Sequence, residues 1–285
     1  MKFINYVAKG NARLGVFLED KQKILDINTA NKELPTDIIS LIEGGFLPLV
    51  CETIKNGLDE QTLISPDDVL VAAAVPNPRL IVCVGQNYKD HADEQGAKYP
   101  KNPLLFNKSP WSVCGPYDPI IYPDNVEKLD YEVELGIVIN KKTKDVSASN
   151  AIDHIFGYCT FHDVSARCAQ FGDRQWFRGK SFDTFAPIGP YLVTKDEIPC
   201  PNNLKLWCKV NGETRQQSNT SNLIFNVETL VEYISHSMTL MPGDIIATGT
   251  PGGVGVFMNP PRLLNRGDTV ELEVEPLGKI INKVI

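Results

Sequence analysis

The chain has 285 residues, of which 42% are hydrophobic and 22% charged, and its formal net charge is −7 at pH 7. Such a composition is ordinary for a globular protein with a large core, and the acidity argues against nucleic acid or an anionic membrane surface as a partner. No apolar run reaches the ~20 residues that cross a bilayer, and seven cysteines without a Cys-x-x-Cys pair argue against a zinc cluster or a disulfide framework.

The first seventy residues predict a small α+β module. Short strands are predicted at 3–17 and 23–27, and helical spacing at 37–55, interrupted by Gly44-Gly45 and Pro48. Two prolines within 75–79 disfavour regular structure and mark a junction. We therefore expect an N-terminal module at 1–70 and a larger domain at 78–285.

The larger domain is dominated by short β patterns. They lie at 80–84, 132–139, 188–193, 206–210, 244–248 and 269–274, with helical candidates at 149–156 and 227–238. Strands and helices do not alternate strictly, which disfavours a parallel α/β sheet. The sequence thus predicts a β-rich α+β fold.

A first candidate site follows the strand that ends at Gly85. A short helical turn there would place His91 and Glu94 on one face, at positions i and i+3. A carboxylate beside an imidazole makes a poised proton acceptor or a dyad that activates water. The alternative is an exposed pair with no chemical role.

Two acids on one strand are the strongest pointer to chemistry. Residues 129–139 alternate so that Glu132 and Glu134 share a face, while the face that carries Val133 and Leu135 is apolar. Like charges on such a strand resist burial unless a cation lies between them. The alternative is a solvated strand face.

Asp163 is the natural third ligand, because it lies where an apolar strand runs into polar residues. Three carboxylates without a cysteine suit Mg²⁺, with Mn²⁺ or Ca²⁺ as alternatives. His162 would suit zinc or iron, but in an extended strand it faces away from Asp163, which favours a packing role.

Two later segments could complete a site. Lys180, between small residues, could reach a cleft and hold a carboxylate or an enolate oxygen. The segment 247–256 is rich in glycine, so its backbone amides could approach a ligand, and Thr250 adds a hydroxyl. A tight hairpin is the alternative. Neither segment matches a phosphate-binding or dinucleotide-binding signature.

These segments together resemble the fumarylacetoacetate hydrolase family over about residues 78–285. The matching motifs are Val-Gly-Gln-Asn-Tyr with His-Ala-Asp-Glu, Asp-Tyr-Glu-Val-Glu-Leu-Gly, His-Asp-Val-Ser-Ala-Arg, Gly-Lys-Ser-Phe-Asp-Thr-Phe-Ala-Pro and Thr-Gly-Thr-Pro-Gly-Gly-Val-Gly. The resemblance implies a roll of mixed β-sheets, usually assembled as a homodimer. It also implies that the small leading module is the one found in the longer members.

The resemblance assigns roles to individual residues. It implies that Mg²⁺ or Mn²⁺ binds Glu132, Glu134 and Asp163, that His91 and Glu94 transfer protons on a lid segment, and that Arg167, Gln170, Lys180 and Thr250 contact substrate. One position departs from the family, where Cys168 replaces an acid. This departure puts the polar network that orients Arg167 in doubt.

The resemblance implies an enzyme that acts on 2-oxo acids through an enolate. His162 before the acid is typical of a subgroup for which oxaloacetate keto–enol tautomerisation is expected. Alternatives are hydrolysis of acylpyruvates or fumarylacetoacetate-type substrates, decarboxylation of oxaloacetate, and a catalytically idle metal-binding scaffold. With reduced cysteines and no visible presequence, we expect the cytoplasm or the mitochondrial matrix.

Overall fold

The computed structural model describes residues 1–57 and 59–285, and β-strands dominate that part of the chain. The strands are β1 (Lys2–Ala8), β2 (Asn11–Leu18), β3 (Lys23–Asp26), β4 (Leu63–Ile64), β5 (Leu70–Val71), β6 (Ile81–Gly85), β7 (Leu104–Lys108), β8 (Val113–Cys114), β9 (Leu129–Asp130), β10 (Val133–Ile139), β11 (Ile155–His162), β12 (Ser165–Ala166), β13 (Ala186–Thr194), β14 (Lys205–Val210), β15 (Glu213–Asn219), β16 (Ile245–Ala247), β17 (Thr269–Val274) and β18 (Lys279–Lys283). The helices are α1 (Ile27–Ala30), α2 (Ile38–Glu43), α3 (Leu47–Lys55), α4 (Lys89–Glu94), α5 (Arg167–Gly172), α6 (Trp176–Lys180) and α7 (Val227–Ser237). Among the described residues, no helix has the length and apolar character needed to cross a membrane.

One large mixed sheet organises the fold. Its strand order is β4-β3-β2-β1-β13-β11-β10-β16-β6-β7, with β5 beside β1 and β8 beside β13. A four-stranded sheet, ordered β15-β14-β17-β18, contacts β10 and β11 through β17. The predicted β-rich α+β class is therefore confirmed.

The N-terminal strands extend the large sheet. β1 pairs antiparallel with β13, so that Lys2 lies opposite Val193 and Phe3 opposite Leu192. Apolar side chains from both parts of the chain form one core cluster, in which Phe3 packs in the same group as Ile188. The division at residues 70–78 stays a prediction about domain organisation.

The predicted elements match the observed ones most closely where local chemistry defines their ends. The helix expected at 227–238 is α7, whose N-terminus is capped by the Asn226 side chain accepting from the Thr229 N–H. Helices α2 and α3 are separated at Gly44-Gly45, where Gly45 has φ 64°. Pro48 does not interrupt a helix as expected, because it lies in the first turn of α3, where an N–H is not needed. The helix predicted at 149–156 is a 3₁₀ turn, Ala148–His154, followed at once by β11.

Candidate active site and metal centre

Four strand ends meet on one side of the large sheet. The start of β10 lies beside the ends of β11 and β16, since Val133 is opposite His162 and Gly136 is opposite Ala247. β6 runs parallel to β16, so its end at Gly85 reaches the same place and leads into α4. Residues far apart in sequence are thereby brought into one site.

Three carboxylates converge at this point. Glu132, Glu134 and Asp163 are 5%, 2% and 0% exposed, and each offers a ligand oxygen within 4.8 Å of the others. A backbone hydrogen bond holds the segments that carry Glu132 and Asp163 side by side, because the Asp163 N–H donates to the Glu132 carbonyl oxygen over 3.0 Å. A solvated strand face is thus the wrong interpretation of these acids.

Buried cations surround the carboxylates. Lys180 Nζ donates to Glu132 Oε2 and to Asp163 Oδ2, each over 2.7 Å. Lys108 Nζ donates to Asp163 Oδ1 over 2.5 Å, and is itself 1% exposed. Sequence reasoning selected Lys180 but missed Lys108, whose only signal was a lysine at the end of an apolar run.

The three acids have unequal environments. Burial raises the pKa of Glu134 far above its usual value, and the charges of Asp163 and Glu132 raise it further. Burial also acts against the charged form of Glu132, but Lys180 and Arg167 outweigh it and lower the pKa of that carboxyl. The difference arises because the described partner of the Glu134 side chain is only the Gly249 N–H, which donates to Oε2 over 2.8 Å.

This arrangement fits a divalent metal. Three buried carboxylate oxygens form the donor set that a hard cation prefers, and two added positive charges would offset the repulsion at Glu134. His162 lies outside the ligand cluster, with Nδ1 3.2 Å from Asn282 Oδ1, and burial lowers its pKa to about 3. It is a neutral, packed side chain, as the strand geometry predicted.

Arg167 is held in a fixed orientation. Its Nε donates to Asp130 Oδ2 over 2.9 Å, Nη1 donates to Gln170 Oε1 over 2.9 Å, and Nη2 lies 2.7 Å from Glu132 Oε1. Cys168 is half-buried against the hydrophobic core instead. The network that orients Arg167 is therefore complete without an acid at position 168.

His91 and Glu94 form a close pair on α4. Glu94 Oε1 is 2.6 Å from His91 Nδ1, and the histidine is only 7% exposed, so the imidazole of this pair is buried rather than exposed. The Gln95 side-chain nitrogen lies 3.0 Å from His91 Nε2. Gln95 thus contacts the imidazole nitrogen that Glu94 does not contact. The sequence analysis did not predict this contact.

The glycine-rich loop after β16 binds the site's own carboxylates. Besides the Gly249 amide, the Gly253 N–H donates to Glu94 Oε2 over 2.7 Å, and the Gly255 N–H donates to Asp130 Oδ1 over 2.8 Å. Gly249 has φ 102°, and a Cβ there would lie 2.9 Å from the Val84 carbonyl oxygen, so only glycine fits. The loop is therefore a support for the acids, rather than only a hairpin turn.

Most of the predicted residues line one cavity. Its wall contains His91, Glu132, Glu134, Arg167, Gln170, Lys180 and Thr250, together with the apolar side chains of Val84, Phe106, Phe171, Trp176 and Phe257. Thr250 Oγ1 donates to the Val133 carbonyl oxygen over 3.0 Å and accepts from Gln216 Nε2 over 2.8 Å. Glu94 and Asp163 do not line the cavity, but Glu94 contacts His91 and Asp163 contacts Lys180, which both do.

Comparison with known proteins gives consistent results. Residues 80–285 match the family model for the fumarylacetoacetate (FAA) hydrolase C-terminal domain. The chain is 46% identical over 265 residues to the mitochondrial oxaloacetate tautomerase FAHD2A of Bos taurus, covering 92% of this chain and 84% of the relative. Among solved structures, fumarylacetoacetate hydrolase from Exiguobacterium antarcticum is 37% identical with a TM-score of 0.88, covering 100% of this chain and 99% of that one. Maleylpyruvate hydrolase from Sphingobium, solved with manganese(II) and pyruvate, is 28% identical with a TM-score of 0.81 at the same coverage.

Proposed function

The chain belongs to the fumarylacetoacetate hydrolase family, and we propose that it is an enzyme that interconverts the keto and enol forms of oxaloacetate. The observation that carries this proposal is the convergence of Glu132, Glu134 and Asp163 within 4.8 Å, beside a cavity whose wall contains the two glutamates and His91. The 46% identity to a protein named oxaloacetate tautomerase supports the choice of substrate.

The three carboxylates are proposed to hold Mg²⁺, with Mn²⁺ or Ca²⁺ as substitutes. Oxygen donors alone favour Mg²⁺ or Ca²⁺, and a related structure contains manganese, which supports Mn²⁺ as a working replacement. The bound cation would supply positive charge beside the substrate oxygens, where negative charge grows as an enolate forms.

The protein's own residues divide the remaining tasks. Lys180 holds Glu132 and Asp163 in place and adds a positive charge at the cavity wall. Arg167 and Gln170, which bond to each other over 2.9 Å, and Thr250 are proposed to contact the substrate.

Proton transfer is assigned to His91 and Glu94. The Glu94 carboxylate beside Nδ1 favours a proton on that nitrogen, which leaves Nε2 as the base that takes the proton from carbon 3 of the substrate. The substrate would displace the Gln95 amide from Nε2. The same imidazole then delivers the proton to the oxygen on carbon 2, which gives the enol and restores the neutral histidine.

Hydrolysis of an acylpyruvate is the second candidate, with oxaloacetate decarboxylation as a further outcome at the same site. The observation that favours hydrolysis is the 28% identical structure named maleylpyruvate hydrolase, together with an apolar wall that suits an acyl tail. Hydrolysis requires a water molecule beside His91, whereas tautomerisation requires only a proton acceptor.

We further propose that two copies associate. Trp111 is 87% exposed, and the Ser109 N–H contacts Ser181 Oγ at the edge of a recess lined by Ile121 and Phe182. We assign the dimer interface to this face. A Trp111→Glu variant should shift the sedimentation profile from dimer to monomer, and an unchanged profile would refute the assignment.

The other proposed partner is a small-molecule substrate, and neither nucleic acid nor a membrane is proposed.

The proposed compartment is the mitochondrial matrix or the cytoplasm. All seven cysteines are free thiols in the described structure, as expected in a reducing environment, and the Bos taurus relative is named mitochondrial. Fractionation of the native cells followed by detection of the chain would decide between the two.

The function is tested by following two products at once. Purified protein with Mg²⁺ is mixed with oxaloacetate, while the enol absorbance and the released pyruvate are measured separately. We expect faster enol relaxation without extra pyruvate, and Glu94→Gln as the near-isosteric control should lose that acceleration. Pyruvate release from an acylpyruvate without any effect on the enol would overturn the proposal in favour of hydrolysis.

A further inference from the structure

Helix α4 carries the proton-transfer pair but has little stability of its own. It spans six residues, Lys89–Glu94, and its N-cap residue Tyr88 makes no side-chain capping hydrogen bond. Isolated helices of this length do not persist in water, so contacts with the rest of the protein must hold the helix in place. Among the described residues of the helix, Asp90 makes the largest number of side-chain hydrogen bonds to other segments of the chain.

Asp90 accepts hydrogen bonds from three separate parts of the chain. Its Oδ2 accepts from Ser218 Oγ, within β15, and over 3.3 Å from Asn222 Nδ2, just after that strand. Its Oδ1 accepts from the Gly252 N–H over 3.3 Å and from the His91 N–H over 2.9 Å. One half-buried carboxylate thus joins α4 to the smaller sheet and to the glycine-rich loop.

The contact with the loop is repeated one turn later. Asp90 and Glu94 are four residues apart and therefore share a helix face. They accept from consecutive amides, Gly252 and Gly253, the second over 2.7 Å. Since Gly249 of the same loop donates to Glu134, the loop connects the helix directly to the carboxylate cluster.

We propose that Asp90 is a positioning residue that latches α4 onto the glycine-rich loop and so sets the distance between His91 and the carboxylate cluster. Asp90 does not line the cavity. Glu94 alone cannot replace it, because one bond at the C-terminal end of the helix leaves the helix free to pivot. The kinetic part of this inference rests on the proposed function, whereas the structural part does not.

The test compares Asp90→Ala with Asp93→Ala as a matched control. Asp93 lies on the same helix and carries the same charge, and within the described part of the chain its carboxylate accepts hydrogen bonds only from the exposed Tyr99 hydroxyl, the shorter over 3.0 Å. Amide hydrogen exchange is measured over residues 88–97 in both variants and in the unmodified protein. Asp90→Ala should speed exchange there about tenfold or more, and Asp93→Ala should leave it within about twofold.

The kinetic readout separates positioning from general damage. Asp90→Ala should lower kcat about ten- to a hundredfold with little change in KM or in the affinity for Mn²⁺, and Asp90→Asn should restore part of kcat because Oδ1 still accepts from Gly252. Should Asp90→Ala fail to fold, Ser218→Ala removes one donor and should give a smaller change in the same direction.

Exchange and kcat equal to those of Asp93→Ala would overturn the inference. A parallel loss of Mn²⁺ affinity and melting temperature would also overturn it, since that pattern indicates a merely structural residue. If the unmodified protein acts on none of the 2-oxo acids, the proposed function fails, and the exchange measurement still decides whether Asp90 holds the helix.

Discussion

Replacing Glu134 with glutamine should stabilise the metal-free protein. Glu134 is 2% exposed, lies within 4.8 Å of two other carboxylates and receives one backbone N–H. Glutamine keeps an oxygen for the Gly249 amide and removes a carboxyl group whose charged form is disfavoured by burial and by the neighbouring acids. The gain should be about 1–3 kcal/mol, the range for relieving a poorly satisfied buried polar group, which raises the melting temperature by a few degrees in a chain of this size.

The pH dependence of this gain has a definite sign. Burial raises the pKa of Glu134 in the folded protein, so between its unfolded and folded pKa values the folded state holds a proton that the unfolded state does not. The free energy of unfolding of the metal-free protein therefore falls as pH rises through this window. In Glu134→Gln that contribution disappears, so the advantage of the variant should grow with pH.

Thermal unfolding in chelator, from about pH 5 to pH 8, measures the effect. Saturating Mg²⁺ should reverse the order, because the cation stabilises the unmodified protein and binds the variant weakly. The reasoning would be refuted if metal-free Glu134→Gln were no more stable than the unmodified metal-free protein at the highest pH. It would also be refuted if the free energy of unfolding changed equally with pH in the two proteins.

Three further predictions concern the other side chains of the site. His91→Ala should lower kcat about 10²- to 10⁴-fold with unchanged Mn²⁺ affinity by titration calorimetry, and equal rates on every active substrate would exclude it from proton transfer. Lys180→Met removes the buried cation that Glu132 and Asp163 share and leaves only Arg167 beside the first and Lys108 beside the second. It should therefore cost the metal-free protein about 3–5 kcal/mol in chemical denaturation, and a loss below about 1 kcal/mol would contradict that. Cys168→Asp should change kcat/KM by less than about threefold, because Arg167 is already held by Asp130, and a tenfold change would show that residue 168 matters for substrate preference.

The sequence was most informative where spacing alone fixes geometry. Strand alternation places Glu132 and Glu134 on one face, and helical spacing places His91 beside Glu94, so these pairs follow from local rules. The resemblance to a known family then assigned roles to residues such as Arg167. Helix α7 could also be predicted from the sequence, because Asn226 caps its N-terminus.

Contacts that depend on strand pairing could not be predicted. Lys108 reaches Asp163 only because β7 pairs with β6, which places the end of an apolar run beside the site. Asp130 shares the alternation of the two glutamates, yet it lies outside the carboxylate cluster, because β9 is a separate short strand paired with β12. The glycine-rich loop gave a signal for ligand binding, but its amides bind the protein's own acids.

The central claim is that a divalent cation at Glu132, Glu134 and Asp163 is required for action on oxaloacetate. The most direct measurement is the rate of oxaloacetate enol relaxation with the unmodified protein before chelation, after chelation and after the return of Mg²⁺. We predict that the acceleration is lost on chelation and recovered with Mg²⁺, and that Glu132→Ala, although folded, shows none in any of the three conditions. Full acceleration by the chelated protein would contradict the claim.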